Sequence, residues 1–470
     1  MLSRINHIVV LMLENRSFDC LLGALYPKSA GFDGLTGTES NLDADHNPVH
    51  VWNSHGTDEA TMSIPSPDPG ELWTDMNEQL FGSSTVPPPP VPTMSGFVAN
   101  YLRQTAEPPY AGRSVMHYFL PEQVPVISGL ARQFAVCDRW HASAPNQTWP
   151  NRFFTHTGTA NGYVNNDPPH FPYEMPTIFN RLEDSQKPWK IYFHDIPQTL
   201  SLTKLWPHAD HFSLYGEFQQ DARQGKLPAY SFIEPRYFAD LSPPNDMHPP
   251  HVVTLGEQLI ADVYNALRQG PSWTETLLIV TFDEHGGCYD HVLPPAAVPP
   301  GDTATTPFNF DRYGVRVPAV IVSPFVPQGT VLRPTGATPF DHTSIIKTVR
   351  TRFSLGPPLS DREASAPDLA AALSLSEPSN LGPAAVTALP YAPSPAALAV
   401  AHARPLNHMQ QALLDLAARL PAAATEGDFA PFIAAHLMSI RGADLPPLGK
   451  DMIDAVAFIR RRLGNLFGSL

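Results

Sequence analysis

The chain has 470 residues, 43% hydrophobic and 10% aromatic, enough for one large domain or two to three smaller ones with a sizeable core. The 30 basic and 45 acidic residues leave a net charge of −15, which excludes non-specific nucleic-acid binding because that needs a basic surface. An anionic substrate is not excluded, since a metal ion or oriented dipoles reverse the field inside a site.

Proline is abundant at 53 residues and charged residues make up only 16%, so much of the chain runs in loops. Cys20, Cys137 and Cys288 are too few and too scattered for a disulfide framework and are expected as free thiols. The 19 histidines show no tight His/Cys spacing and predict no zinc cluster.

From the N-terminus, the first apolar run covers only residues 8–13 and is cut by Glu14 and Asn15. It is too short for a signal peptide or a membrane span. Further runs at 190–193, 230–233, 276–282 and 317–323 have the look of strands buried on both faces. Helical patterns lie between them, at 252–267 with Gly270-Pro271 as the stop, and after Asp341 as a predicted N-cap with Ile345, Ile346, Val349 and Phe353 on one stripe. Buried strands alternating with helices predict an α/β fold with a mainly parallel sheet covered on both faces.

Residues 40–113 are polar and proline-rich and are expected as a long insertion over the surface, with a polyproline II stretch at 86–91. A catalytic core of 1–355 is followed by a Pro/Ala-rich connector at 356–400 and a helical region at 401–470. Helices are expected near 409–420, 429–440 and 450–466, packed on the core and without a catalytic group.

In a parallel sheet, ligands bind beyond the carboxyl ends of the strands. The first run ends in Glu14 and Asn15, the fourth in Asp283 and Glu284 followed by Gly286-Gly287. One acidic strand end is ordinarily a cap or turn. Two of them, one with a Gly-Gly turn that allows close backbone approach, make a hard, oxygen-rich set suited to a divalent cation. Thr148 stands just ahead of Pro150, which suits the first turn of a helix. Alone it is an N-cap; beside a metal its hydroxyl becomes a nucleophile facing a helix start that favours phosphate.

Four motifs then occur in order: Glu14-Asn15-Arg16-Ser17-Phe18-Asp19, Pro145-Asn146-Gln147-Thr148-Trp149-Pro150-Asn151-Arg152, Asp246-Met247-His248-Pro249-Pro250 and Phe282-Asp283-Glu284-His285-Gly286-Gly287-Cys288-Tyr289-Asp290-His291-Val292. Together they resemble the phosphoesterase family of bacterial phospholipases C and related acid phosphatases, in the alkaline-phosphatase superfamily. The resemblance implies an alkaline-phosphatase-like sheet sandwiched by helices, with long loop insertions and a helical C-terminal appendage. It implies a divalent metal (Ca, Mg, Mn or Zn) on Glu14, Asn15, Asp283 and Glu284, Thr148 as nucleophile and His248 at the phosphate. Asn146-Gln147 stand where relatives commonly show Gly, which puts the local loop shape in question.

His194, after the second strand run, is a further catalytic candidate, and His291 and Arg152 are candidates for substrate contact. Arg16 has two readings, a phosphate contact or a pair with nearby carboxylates. His251 and His342 read as structural neighbours. The expected activity is phospholipase C-like phosphodiester hydrolysis through a phosphothreonine. The alternatives are an acid phosphatase acting on phosphomonoesters and a catalytically silent binding protein. No C/S-x-P-x-R pattern surrounds Thr148, which argues against a sulfatase. A phosphate ester or phospholipid is the expected partner, with transient membrane-surface contact, and Trp73, Phe97, Tyr101 and Trp206 are candidates to line a lipid cleft. The expected address is cytoplasmic by default, although relatives are often exported.

Overall fold

The first strand, β1 (His7–Leu13), reads HIVVLML, and every residue after His7 is buried. A strand without polar alternation has no face to give to water, so it must lie inside a sheet covered on both sides. The computed structural model, which describes residues 1–85, 91–104, 113–301, 307–422 and 452–467, places it so. The further strands are β2 (Ser40–Leu42), β3 (Pro48–His50), β4 (Ala135–Val136), β5 (Trp189–Phe193), β6 (Phe212–Leu214), β7 (Tyr230–Glu234), β8 (Thr276–Phe282), β9 (Ala319–Val322) and β10 (Thr330–Val331). Eight of them form one sheet in the order β10-β4-β9-β8-β1-β7-β5-β6, while β2 and β3 pair apart as a hairpin.

β1 runs parallel to β7 and β8, with Leu13 beside Phe282, so their carboxyl ends open side by side. β9 alone runs against both its neighbours, β8 and β4. All five apolar runs predicted as strands lie in this mainly parallel sheet. The strands missed, β4, β6 and β10, have two or three residues each, too few for any periodicity.

Helices cover the sheet. Val253–Gln269 follows the predicted stripe and stops at Gly270. The helix expected from Asp341 spans Thr343–Phe353 with His342 at the N-cap. Asp341 lies one residue too early to cap; its carboxylate accepts from the hydroxyls of Ser143 and Thr343.

The proline-rich insertion differs from expectation. It holds helices Trp73–Phe81 and Phe97–Gln104, and Leu80, Phe81, Phe97, Val98 and Tyr101 form a small core with Val115, Met116 and Tyr289. Its polar residues are buried because they satisfy one another: Gln79 donates to Gly70 and Asn100, and Asn100 donates to Asp75 and Glu78. Trp73, Phe97, Tyr101 and Trp206 are all buried packing residues rather than the lining of an open cleft. Most of the polyproline stretch at 86–91 lies outside the described residues.

At the C-terminus, helices His408–Arg419 and Met452–Phe467 match two predicted segments, and the third, at 429–440, lies outside the described residues. Leu413, Leu416, Ile459 and Leu463 join the main apolar core. No helix among the described residues is long and apolar enough to cross a membrane. Cys20, Cys137 and Cys288 are buried and unpaired.

Candidate active site

Where β1 ends, the backbone turns sharply. Asn15 has φ 53°, a left-handed conformation that asparagine tolerates better than most residues. The turn after β8 comes within touching distance: a Cβ on Gly286 would lie 2.4 Å from the Asn15 carbonyl oxygen. Only glycine permits that approach, and it locks the two strand ends together. The Asn15 N–H and the Glu284 N–H both donate to Asp283 Oδ1, at 3.1 and 2.8 Å. Glu284 Oε2 accepts from the Gly286 N–H at 2.7 Å.

These bonds leave particular oxygens over. Asn15 Oδ1, Asp283 Oδ2 and Glu284 Oε1 are buried and have no hydrogen-bond partner. Buried oxygens without hydrogen bonds are costly unless something positive sits near them, and Asp283 Oδ2 has Arg152 Nε to answer it at 3.8 Å, beyond hydrogen-bond reach. The side chains therefore fit a divalent cation with hard oxygen ligands. The charges agree. Burial, and then the neighbouring Asp283, push the Glu14 carboxyl well up. Burial, and then Glu71 and Asp283, do the same to Glu284.

Thr148 arrives on the helix Thr148–Thr157. The helix starts two residues earlier than Pro150 suggests, with Gln147 at the N-cap, so Thr148 is its first residue. Its hydroxyl donates to Glu14 Oε2 at 3.5 Å. Asn151 shapes the turn before it: Nδ2 donates to the Ala144, Asn146 and Gln147 carbonyls, and Oδ1 accepts from the Ala144 N–H. That side chain settles the loop shape that Asn146-Gln147 left in question. One turn on, Arg152 is fully buried and donates to Glu14 Oε1 from Nε at 3.0 Å and Nη2 at 2.6 Å. It orients a carboxylate; its Nη1 is without a hydrogen bond and lies 3.9 Å from Glu234.

His248 is also fully buried, next to Met247, whose φ of 73° is unusual for a non-glycine residue. Its Nδ1–H faces the Pro249 carbonyl at 2.6 Å, and its Nε2 lies 3.0 Å from Glu71 Oε1. Burial alone would lower the pKa of this imidazole, but the carboxylates of Glu71 and Asp68 outweigh it and hold His248 well above the usual range. Glu71 also accepts from Asn15 Nδ2 at 2.7 Å, which turns the free Oδ1 of that amide away from it.

Glu71 and Asp68 come from the insertion and were not singled out in the sequence. A lone Glu after Pro-Gly in a polar stretch carries no periodic signal. The C-terminal region reaches the same place: Asn407, N-cap of His408–Arg419, lies 3.4 Å from His248 Nδ1. A cavity of about 440 Å³ opens beside His248, lined by Asp68, Gly70, Pro249, Asn407 and His408 among others.

Among the predicted residues, Glu14, Asn15, Thr148, Arg152, Asp283 and Glu284 are thus linked to one another, with His248 joined through Glu71. His342 supports them: its Nε2–H donates to the Asp283 carbonyl at 2.6 Å while its Nδ1 accepts from Trp140, the neutral tautomer expected when burial lowers its pKa to about 4. His251 holds Asp246 through Nδ1 at 2.7 Å. Arg16 takes neither predicted role, donating instead to the carbonyls of Ile64, Met247 and His251 and so tying three loops together.

Two candidates lie elsewhere. His194 stacks on Tyr215, with ring centroids 4.3 Å apart, bonds the Glu234 carbonyl and faces a separate cavity beside Ile459 and Leu463. Burial lowers its pKa to about 4. His291 belongs to another ionic cluster, with Nδ1 2.6 Å from Asp19 and Nε2 3.2 Å from Asp33.

The site thus sets a buried hydroxyl at a helix start near oxygens without hydrogen bonds at two parallel strand ends. Comparison with known proteins gives the class. A family model described as "Phosphoesterase family" matches residues 5–356. The chain is 40% identical over 370 residues to non-specific phospholipase C6 of Arabidopsis thaliana, covering 75% of this chain and 69% of that protein. It is 40% identical over 413 residues to non-specific phospholipase C3 of the same plant, covering 83% and 77%. Phospholipase C B of Mycobacterium tuberculosis (strain ATCC 25618 / H37Rv) is 27% identical over 442 residues, covering 81% and 79%. The chain belongs to the phosphoesterase family and is a phosphoric ester hydrolase.

Proposed function

We propose that this protein is a metal-dependent phosphodiesterase of the phospholipase C type, which cleaves phospholipid-like substrates through a phosphothreonine at Thr148. The observation that carries this reading is the Thr148 hydroxyl, 3.5 Å from Glu14 and at a helix start, beside the unpartnered oxygens of Asn15, Asp283 and Glu284. The names of the Arabidopsis and mycobacterial relatives support the phospholipid class.

Glu14, Asn15, Asp283 and Glu284 would hold the divalent cation, which when bound supplies positive charge for the phosphoryl oxygens and for the threonine oxygen. The chain's own groups do the rest. The helix beginning at Thr148 turns its positive end toward an anion, a dipole effect rather than a row of donors, because the Trp149 N–H is spent on Asn166 Oδ1 at 2.7 Å and Pro150 has no N–H. Arg152 keeps Glu14 in place, and Glu14 Oε2 is the acceptor that the Thr148 proton faces. Thr148 Oγ forms the new bond to phosphorus as the bond to the leaving alkoxide breaks. His248, held protonated by Glu71 and Asp68, gives its proton to that alkoxide. Water then splits the phosphothreonine, releasing the phosphorylated head group and restoring Thr148. Positioning and charge stabilisation dominate, as in phosphoryl transfer generally. The cavity beside His248 offers the substrate an approach between the insertion and the C-terminal region. On this reading residues 1–355 form the catalytic core, and the described helices His408–Arg419 and Met452–Phe467 of the C-terminal region border its mouth through Asn407, His408 and Met452.

The test is a pair of chromogenic substrates, a phosphodiester and a phosphomonoester, followed by mass spectrometry of acid-quenched enzyme during turnover. Preference for the diester and phosphate on Thr148 are expected. Preference for the monoester would make the protein a phosphatase, and phosphate on another residue would move the nucleophile.

A further inference from the structure

We propose that Glu183, His208 and His211 form a separate site for a zinc-class transition ion at the β6 edge of the sheet. One ligand atom from each lies within 4.8 Å of the other two. All three side chains are half-buried, so they are reachable from solvent without being freely mobile. Two imidazoles and a carboxylate are a borderline donor set, unlike the all-oxygen set at Thr148, and they suit zinc rather than calcium or magnesium.

The geometry is prepared. His211 directs Nδ1–H to the Trp189 carbonyl at 2.8 Å, which places the lone pair on Nε2, 3.7 Å from Glu183 Oε2. The indole N–H of the same Trp189 donates to Glu183 Oε2 at 2.9 Å, and the Trp189 ring stacks on His211 with centroids 4.1 Å apart. One residue therefore orients two ligands, the outer-shell arrangement that fixes tautomer and direction in metal sites. His208 sits at a kink in the 3₁₀ segment Thr203–His211, with φ −116° and ψ 39°, and that kink leaves its ring centroid 5.9 Å from that of His211. Asp210 Oδ2, 4.0 Å from His211 Nε2, is at hand as a fourth donor. Ligand atoms around tetrahedral zinc are about 3.4 Å apart, so closure needs only small side-chain rotations.

The ion would clip the end of the helix Ile178–Asp184 to the segment leading into β6, against which the C-terminal helix packs through Phe467 on Phe212. Spacing in the sequence predicts no such site because Glu183 is remote from His208 along the chain.

The experiment counts zinc bound per chain after dialysis against a chelator, in the full-length protein and in His208→Asn and Glu183→Gln variants, with unfolding temperature read alongside. The catalytic candidate takes zinc equally in all three proteins, so the difference isolates this site. The wild type is expected to bind one equivalent more than each variant in the micromolar range or tighter. Each variant should weaken that equivalent by about a hundredfold or more, since losing an outer-shell partner alone costs up to about that much. Added zinc should raise the unfolding temperature more in the wild type, while phosphodiester turnover stays the same in all three. Equal zinc counts in the three proteins, or an extra equivalent that binds only at millimolar concentration, would overturn the proposal whatever the activity assay shows.

Discussion

Two ionic clusters, one partly exposed and one buried, lie near the same end of the sheet, and they are built on opposite principles. Around His291, whose pKa burial would lower but the Asp19 carboxylate raises, the carboxylates of Asp19, Asp33 and Asp290 also meet the cations Lys28 and Arg316. Arg316 alone donates to Asp19, Asp290 and the carbonyls of Asp33 and Asp138. No side-chain oxygen of these three aspartates is buried without a partner. Around Thr148, the five carboxyl groups of Glu14, Asp68, Glu71, Asp283 and Glu284 outnumber the cationic partners Arg152 and His248 that contact them, with the imidazole of His285 3.5 Å from Glu284, and buried oxygens stand without a hydrogen bond. A matched network holds loops together. A mismatched one is stable only with something bound, and that separates a site from a strut more sharply than residue type does.

Substitutions can break this contrast. The largest effect is expected at Thr148→Ala, which should lose turnover by about a thousandfold or more, the scale of removing a nucleophile. Its unfolding midpoint should stay near that of the wild type, because the carboxylates and Arg152 remain. Thr148→Ser should keep part of the activity. A fully active alanine variant would take the role away from Thr148.

Arg316→Ala should do the reverse. It strands Asp19 and Asp290 in the interior, and breaking a buried pair in this way costs about 3–5 kcal/mol of stability. Turnover per folded molecule should persist. A denaturant titration with activity measured on the folded fraction separates the two outcomes, and a variant as stable as the wild type would refute the strut.

Glu71→Gln is expected to lower turnover about ten- to a hundredfold, within the range for general acid–base groups. The pH profile is the sharper readout. Burial lowers and Glu71 raises the His248 pKa, the carboxylates winning, so loss of the Glu71 charge must lower it. The cationic form then disappears at a lower pH, and the alkaline limb of turnover should move down. A limb that stays put would detach His248 from the proton transfer.

The smallest effect belongs to Glu284→Gln in chelator-treated protein. Removing one of several crowded charges should leave stability unchanged or raise it by about 1 kcal/mol, whereas adding a divalent cation should stabilise the wild type more than the variant. Thermal unfolding with and without cation checks both signs; a marked loss of stability in the chelated variant would mean that the charges are already compensated.

Much of this was legible in the sequence because it is local. Glu14 follows six buried residues of β1, Asp283 follows β8, and Thr148 opens a helix; each is a property of a few neighbouring residues. The apolar runs set both faces of the central strands, and the motif order set the family. Contacts made by single residues across long separations had no such trace. Glu71 meets Asn15 and His248 from an insertion that composition presented as surface, and Asn407 arrives from a helix cap far down the chain. His194 directly follows β5 and His291 comes beyond the Gly-Gly turn after β8, and the fold turns the first toward a separate cavity and the second into an ion network. Periodicity and turn chemistry act over a few residues, so the sequence by itself determined the five long apolar strands, the helices with a clear stripe and the residues offered at the strand ends. Which of those residues meet, and which oxygens remain without a partner, depends on packing between distant segments, and only the tertiary structure decided it.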